Sequence, residues 1–420
     1  MPHPCAEPSG IAIVVFCVGR YDGLLALNVR PQPAPVHSPS VPDPLAQALQ
    51  QAQAALLRAN PNPRVGCVLV APDGQVIGQG STQQAGGPHA EVMALRDAQA
   101  LGHPTAGATA YVTLEPCCHH GRTGPCCDAL MRAGVARVVA ALPDPNPLVA
   151  GQGFARLRHA GIAVDIASES PDAGLRDWAA AARDLNIGFF SRMLRRTPWV
   201  RMKTAASLDG VTALPNGQSQ WITGEAARTD GHAWRARACA VLTGIGTVLQ
   251  DRPRLDVRGM DTPRQPALVV VDSDLQTPPD AAIFTPRRPV LIYAATPHAA
   301  RQAALERSGA TVVYLPDTTA PGAASPKVDL AAMLRDLALR EMNEVHVEAG
   351  HKLNGSLLRA GLVDELLVYL APLWLGTGAG MSNWGPLTNL ADGLALEFQS
   401  AEMVGADLRV LARVAGRGVF

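Results

Sequence analysis

From Pro44 onward the chain alternates short apolar runs with helical patterns, which restricts the fold to the α/β class. PLAQALQQAQAALLRA (44–59) has the composition of a helix. VGCVLV (65–70) and QVIGQG (75–80) read as strands around a Pro-Asp-Gly turn at 72–74. AEVMALRDAQAL is a helix, ATAYVTL (108–114) a strand, and CDALMRAG a helix ended by Gly134. RVVAAL (137–142), a helix over 151–160 and IAVDIA (162–167) complete this series, which predicts a three-layer α/β domain. A second α/β series begins near Thr197 with VRMKTA, ACAVLTG, PALVVVD, PVLIYAA, ATVVYLP, EVHVEAG and DELLVYLAP as strands. The join falls in FFSRMLRRTP (189–198), giving domains over 44–190 and 191–420. A chain of 420 residues is long for one core, so two domains are expected. No repeat relates the halves.

Residues 1–43 differ from the rest. The proline-rich stretch RPQPAPVHSPSVPDP reads as a disordered or extended segment without a catalytic role. IAIVVFCV (11–18) is too short to span a bilayer, and no Lys or Arg precedes it, so neither a membrane anchor nor a secretory signal is expected. Formal net charge is zero and aromatics make up 4%, which argues against a nucleic-acid partner. The eight cysteines are too few for a disulfide scaffold. Four of them cluster, which suits a metal site in a reducing, cytoplasmic setting.

The cluster is TLEPCCHHGRTGPCC (113–127), and PHAEVMAL (88–95) lies upstream. His89 and Glu91 form His-x-Glu at a helix start. With Pro-Cys at 116–117 and a later cysteine, they make the ligand set of a zinc nucleobase deaminase. A structural zinc takes four protein ligands. Three ligands and a nearby carboxylate describe a hydrolytic site. Adjacent helical residues point about 100° apart, so only one of Cys126 and Cys127 can face the metal. Cys126 shares a face with Ala129, Leu130 and Ala133 and opens the helix, where the dipole favours a thiolate. The expected set is therefore His89, Cys117 and Cys126, with Glu91 as proton shuttle. Cys118 and Cys127 are then structural thiols, and His119 and His120 loop or pocket residues.

PNPRVGCVLV, PHAEVMAL, TLEPCCHHGRTGPC and DPNPLVAG together resemble the deaminase half of the bifunctional riboflavin-biosynthesis deaminase/reductase family. The family loop between the two cysteine ligands has this same length. Gly124 stands where the family usually has proline, and LLRANPNP replaces its Gly/Thr-rich turn, although Asn62 matches. VRMKTAASLDG (200–210), QWITG (220–224), AWRARACAVLTGIGTVLQDRPRLDVR (233–258), VEAGHKLNGSLL (347–358) and GLVDELLVYLAPLWLG (361–376) resemble the reductase half. The resemblance covers roughly 44–420 in the family's own domain order.

It implies a cytidine-deaminase-like α/β/α domain followed by a dihydrofolate-reductase-like α/β domain, with zinc and NADPH as cofactors. By it, Ala205, Trp221, Thr247, Asp251, Ser273 and the segment Gly350, His351, Lys352, Leu353, Asn354, Gly355, Ser356 line NADPH. Ser219, Arg235, Leu255, Arg258 and Glu348 line the substrate. Lys203 and Asp209 are weaker pocket candidates. The implied reactions are deamination of 2,5-diamino-6-(5-phosphoribosylamino)pyrimidin-4(3H)-one and NADPH-dependent reduction of the resulting aminouracil to its ribityl form. The implied partners are these small molecules and further copies of the chain, as a dimer or tetramer. A nucleic-acid-editing or other nucleobase deaminase with an accessory domain is the alternative reading, and a non-enzymatic zinc scaffold is a third.

Overall fold

The first half starts with helix α1 (Pro44–Ala54) and the antiparallel pair β1 (Gly66–Val70) and β2 (Val76–Ser81). Then come α2 (Ala90–Ala100), β3 (Thr109–Val112), α3 (Cys126–Arg132), β4 (Arg137–Ala140), α4 (Gln152–His159) and β5 (Ala163–Ile166). Helices α5 (Ala173–Leu185) and α6 (Ile187–Arg195) follow. The sheet order is β2-β1-β3-β4-β5, with β3, β4 and β5 parallel. The computed structural model describes residues 43–118, 124–318 and 326–420; the proline-rich extension expected at 1–43 lies, but for Asp43, outside the described residues.

Small residues set the layer spacing. Ala90, Ala94 and Ala98 form a buried face of α2 against β2. A Cβ at Gly80 would come within 2.4 Å of the Ala94 nitrogen, and one at Gly78 within 2.4 Å of the Ala94 oxygen. Glycine there lets the helix lie directly on the strand, which fixes the start of α2 beside the sheet.

The second half comprises β6 (Trp199–Ser207), β7 (Val211–Ala213), α7 (Glu225–Arg237), β8 (Ala240–Gly244), α8 (Ile245–Asp251) and β9 (Ala267–Val271). It continues with β10 (Val290–Ala294), α9 (Ala299–Arg307), β11 (Ala310–Tyr314), α10 (Leu330–Leu339), β12 (Glu344–Val347) and α11 (His351–Arg359). It closes with β13 (Glu365–Ala371), β14 (Ala379–Gly380), β15 (Leu396–Val404) and β16 (Asp407–Val414). The nine-stranded sheet has the order β11-β10-β9-β8-β12-β6-β13-β16-β15. It is parallel from β11 to β13 and antiparallel beyond. The apolar runs of β9 and β10 are buried almost throughout, as parallel strands covered on both faces should be.

The expected boundary at 190/191 falls inside α6, whose Phe189 and Phe190 are buried. Arg64, just before β1, pairs with Glu344 at the start of β12, and both are buried. Arg201 and Arg237 reach the other Glu344 oxygen at 3.1 and 2.8 Å. Arg64 also donates its amide to Asn186 Oδ1 at 2.7 Å and its guanidinium to the Leu185 carbonyl at 2.7 Å. The two halves thus meet across a buried charge cluster in which one carboxylate faces three guanidinium groups.

Candidate active sites

His89 is the N-cap of α2 and Glu91 lies in its first turn, fully buried. Cys117 ends the segment after β3, and Cys126 is the first residue of α3. The structure brings these together. His89 Nδ1 lies 3.5 Å from Cys117 Sγ and 3.4 Å from Cys126 Sγ, and the Cys126 amide donates to Cys117 Sγ at 3.4 Å. One donor atom from each residue falls within 4.8 Å of the others. Zinc bonds of about 2.3 Å to sulfur and 2.1 Å to nitrogen, meeting tetrahedrally, leave S and N about 3.6 Å apart. The donor set and its spacing therefore fit zinc.

The two thiols share one proton-accepting contact and are pushed in opposite directions. The hydrogen bond from Cys126 holds the Cys117 thiol down at about 4, while Cys126 itself is pushed far up by that same contact and by burial. Burial raises Glu91 to about 7, so its carboxyl can both hold and release a proton near neutrality.

Cys127 turns away, donating its thiol to the carbonyl of Pro116 at 3.2 Å. Cys118 is partly exposed and packs on the first-half core. His119 and His120 lie outside the described residues.

The metal-ligand candidates open into a cleft of about 310 Å³. Asn62, Asp144 and Asn146 line it, as do Phe189, Arg192 and Met193 of α6 and Glu341 from the second half. Burial raises Asp144 to about 7. Glu115 was not singled out in the sequence. Its carboxylate accepts the amides of Asp144, Gly151, Gly153 and Phe154 at 2.9–3.2 Å, tying down the loop that carries Asp144. A Cβ at Gly153 would meet the Pro116 carbonyl at 2.1 Å. The only sequence signal for this clamp is the Glu-Pro pair before Cys117.

The second cluster lies at the carboxyl edge of the neighbouring strands β9, β8, β12 and β6, where open parallel sheets hold ligands. Ala205 is on β6, Thr247 and Asp251 on α8, and Ser273 just after β9. Gly350 caps α11, and 351–356 form its first turns. Neither α8 nor α11 has a side-chain cap, so their first amides remain available to phosphate oxygens. That vacancy in backbone pairing fits a dinucleotide. Asn354 and Gly355 face elsewhere: Asn354 Nδ2 donates to the Met381 carbonyl at 2.9 Å, and Gly355 abuts Asn383. Trp221 is 70% exposed, with the Arg228 guanidinium 4.7 Å from its ring. Ser219 is half-buried in the same loop.

Arg235 is committed to a carboxylate. It forms a fork with Glu348, Nη2 to Oε2 at 2.8 Å, and Nη1 donates to the Asp256 carbonyl at 3.0 Å. Burial raises the Glu348 carboxyl, but Arg235 outweighs this and holds it well below its ordinary value. Arg258 is half exposed and pairs with Asp256. Leu255 is buried with a positive φ of 51°. Lys203, on β6, has its ammonium 5.8 Å from the Tyr369 ring, and burial lowers its pKa. Asp209 accepts the amides of Leu375 and Gly376 at 3.1 and 2.7 Å, a turn-holding role.

Residues 43–142 match the cytidine and deoxycytidylate deaminase zinc-binding region, and 198–410 match the RibD C-terminal domain. The riboflavin biosynthesis protein RibD of Escherichia coli K12 is 43% identical over 367 residues, covering 87% of this chain and 96% of that protein. The fold resembles Acinetobacter baumannii RibD, with a TM-score of 0.77, 38% identity, and coverage of 89% and 98%. It also resembles the Thermotoga maritima diaminohydroxyphosphoribosylaminopyrimidine deaminase/5-amino-6-(5-phosphoribosylamino)uracil reductase, with a TM-score of 0.74, 30% identity, and coverage of 89% and 98%. With both matched regions in one chain and near full-length likeness to these proteins, the chain belongs to the RibD family of bifunctional riboflavin-biosynthesis enzymes, a deaminase followed by a reductase.

Proposed function

We propose that the first half deaminates 2,5-diamino-6-(5-phosphoribosylamino)pyrimidin-4(3H)-one and that the second half reduces the ribosyl group of the product with NADPH. The observation that carries this reading is the meeting of His89, Cys117 and Cys126 around one point, with buried Glu91 beside them. His89, Cys117 and Cys126 would hold zinc, which when bound activates water and polarises the reacting centre. Glu91 takes a proton from the attacking water and returns it to the ring nitrogen and the departing amine. Asn62, Asp144 and Asn146 line the space where the pyrimidine edge must be read.

In the second half, NADPH would supply the hydride. The amides opening α8 and α11 are suited to its phosphates, and the resemblance assigns Ala205, Trp221, Thr247, Asp251 and Ser273 to the same cofactor. Glu348, fixed by Arg235, suits a sugar hydroxyl, and half-exposed Arg258 suits the phosphate. Self-association through the second half is supported by edge strand β15, where Phe398 is 78% and Met403 65% exposed. Among the described residues, no helix is long and apolar enough to cross a membrane. Free thiols at the metal site suit the cytoplasm.

Incubating the purified protein with the diaminopyrimidine, with and without NADPH, tests the reading. Ammonia should appear in both cases, and the ribityl product only with NADPH. Deamination of cytidine or RNA at a greater rate, with no NADPH consumption, would favour the nucleic-acid alternative, which the match to the RibD C-terminal domain already disfavours.

A further inference from the structure

The deamination cleft has an uneven wall. Among its described lining residues Arg192 is the only arginine or lysine, against the carboxyl groups of Glu91, Glu115, Asp144 and Glu341. Glu115 is spent on backbone amides. Glu341 has an interaction of its own, and its charge also acts on Arg192. A substrate carrying a phosphoribosyl arm needs a cation along the cleft, and a guanidinium with free donors is well matched to phosphate.

Arg192 is braced by two hydrogen bonds, with the Glu341 carboxylate offsetting part of the effect of its burial. Its Nε donates to Asn343 Oδ1 at 2.6 Å and one Nη to the Pro61 carbonyl at 3.4 Å. Its Nη1 has no hydrogen-bond partner among the described residues. Asn343 is 3% exposed and itself donates to the Pro61 carbonyl at 2.9 Å. Asn343 precedes β12 of the second half, whereas Pro61 belongs to the segment that presents Asn62. The bracing residue of the first site thus comes from the other half of the chain.

We propose that Arg192 binds the phosphate of the deaminase substrate and that Asn343 positions it from the reductase half. This deepens, and rests on, the deaminase reading above. Arg192 is a specificity residue. Asn343 acts only through Arg192 and the Pro61 carbonyl.

The test compares deamination of the phosphorylated substrate and its dephosphorylated riboside by unmutated protein, Arg192→Gln, Arg192→Lys and Asn343→Ala. Zinc content and NADPH-dependent reduction of the aminouracil report folding of each variant. A charge-assisted contact corresponds to about 10–100-fold in affinity, so Arg192→Gln should raise KM for the phosphorylated substrate by about that factor, with little change for the riboside. Arg192→Lys should recover part of the loss. Asn343→Ala should show the same selectivity for phosphate with a smaller effect. A matching loss on both substrates, or no loss on the phosphorylated one, overturns the proposal while leaving the deaminase reading intact. If unmutated protein deaminates neither compound, the deaminase reading itself falls, and this inference with it.

Discussion

Arg64 and Glu344, 280 residues apart in sequence, form a buried ion pair that ties the strand-β1 entry of the deaminase half to strand β12 of the reductase half. Removing Glu344 strands the buried Arg64 guanidinium without a counterion, whereas removing Arg64 still leaves Glu344 with Arg201 and Arg237. Glu344→Ala is expected to cost about 3–5 kcal/mol, measured by chemical denaturation monitored in both halves. A loss below about 1 kcal/mol would show that water reaches the pair.

The same cluster sets an acid limit. Burial pushes the Glu344 carboxyl up, but Arg237, Arg64 and Arg201 outweigh burial and hold it well below its ordinary 4.5. A carboxylate depressed in the folded state contributes stability above its unfolded pKa and loses it as pH falls. Stability should therefore decline below about pH 4.5, the ordinary glutamate range. Glu344→Gln should be less stable at pH 7 and show a shallower decline below that pH. An unchanged slope in denaturation midpoints against pH would remove Glu344 from this role.

Cys117 and Cys127 should separate cleanly in metal analysis. Cys117→Ser is expected to lose the metal, because its sulfur faces His89 and Cys126. Cys127→Ser is expected to keep about one zinc per chain, because its thiol serves the Pro116 carbonyl.

Glu115→Gln replaces a carboxylate that accepts four backbone amides with a group that has one acceptor oxygen. At about 1–3 kcal/mol per buried donor left unpaired, stability should fall by at least about 2 kcal/mol. Deamination should fall with it, since Asp144 rides on the released loop. Thermal denaturation and ammonia release on the same preparation check both.

Arg235 and Arg258 should differ in kind. Arg258→Ala should raise KM for the aminouracil and leave NADPH binding nearly unchanged. Arg235→Ala should cost stability as well, because it strands Glu348 beside His346, whose Nε2 is 3.5 Å away. Equal loss of NADPH binding in Arg258→Ala would assign that residue to the cofactor.

Local patterns were legible where one element decides the outcome. The run ALVVV of β9 could be read because burial on both faces leaves no polar position. β15 and β16 escaped the sequence reading. In β15 the register shifts between Phe398 and Ser400, which breaks the period of two, and most of its side chains remain exposed. FFSRMLRRTP read as a join, yet it is largely helix α6, whose phenylalanines are buried by tertiary packing that local composition does not encode. In the site, His-x-Glu and the two cysteines were legible because a metal restricts residue type. The partners of Glu115, Arg192 and Arg235 lie 29–39, 131–151 and up to 113 residues away, and long-range pairing leaves no local pattern.

Glu91→Gln tests the assignment of the two chemistries most directly. The amide keeps the shape, removes the base and touches no reductase residue named here, so zinc should stay bound. A positioned general acid–base contributes about 10²–10⁴-fold, so ammonia release should fall by at least that order. The same preparation, given the deaminated aminouracil, should oxidise NADPH at close to the unmutated rate. Undiminished ammonia release from zinc-loaded Glu91→Gln would mean that another group moves the proton.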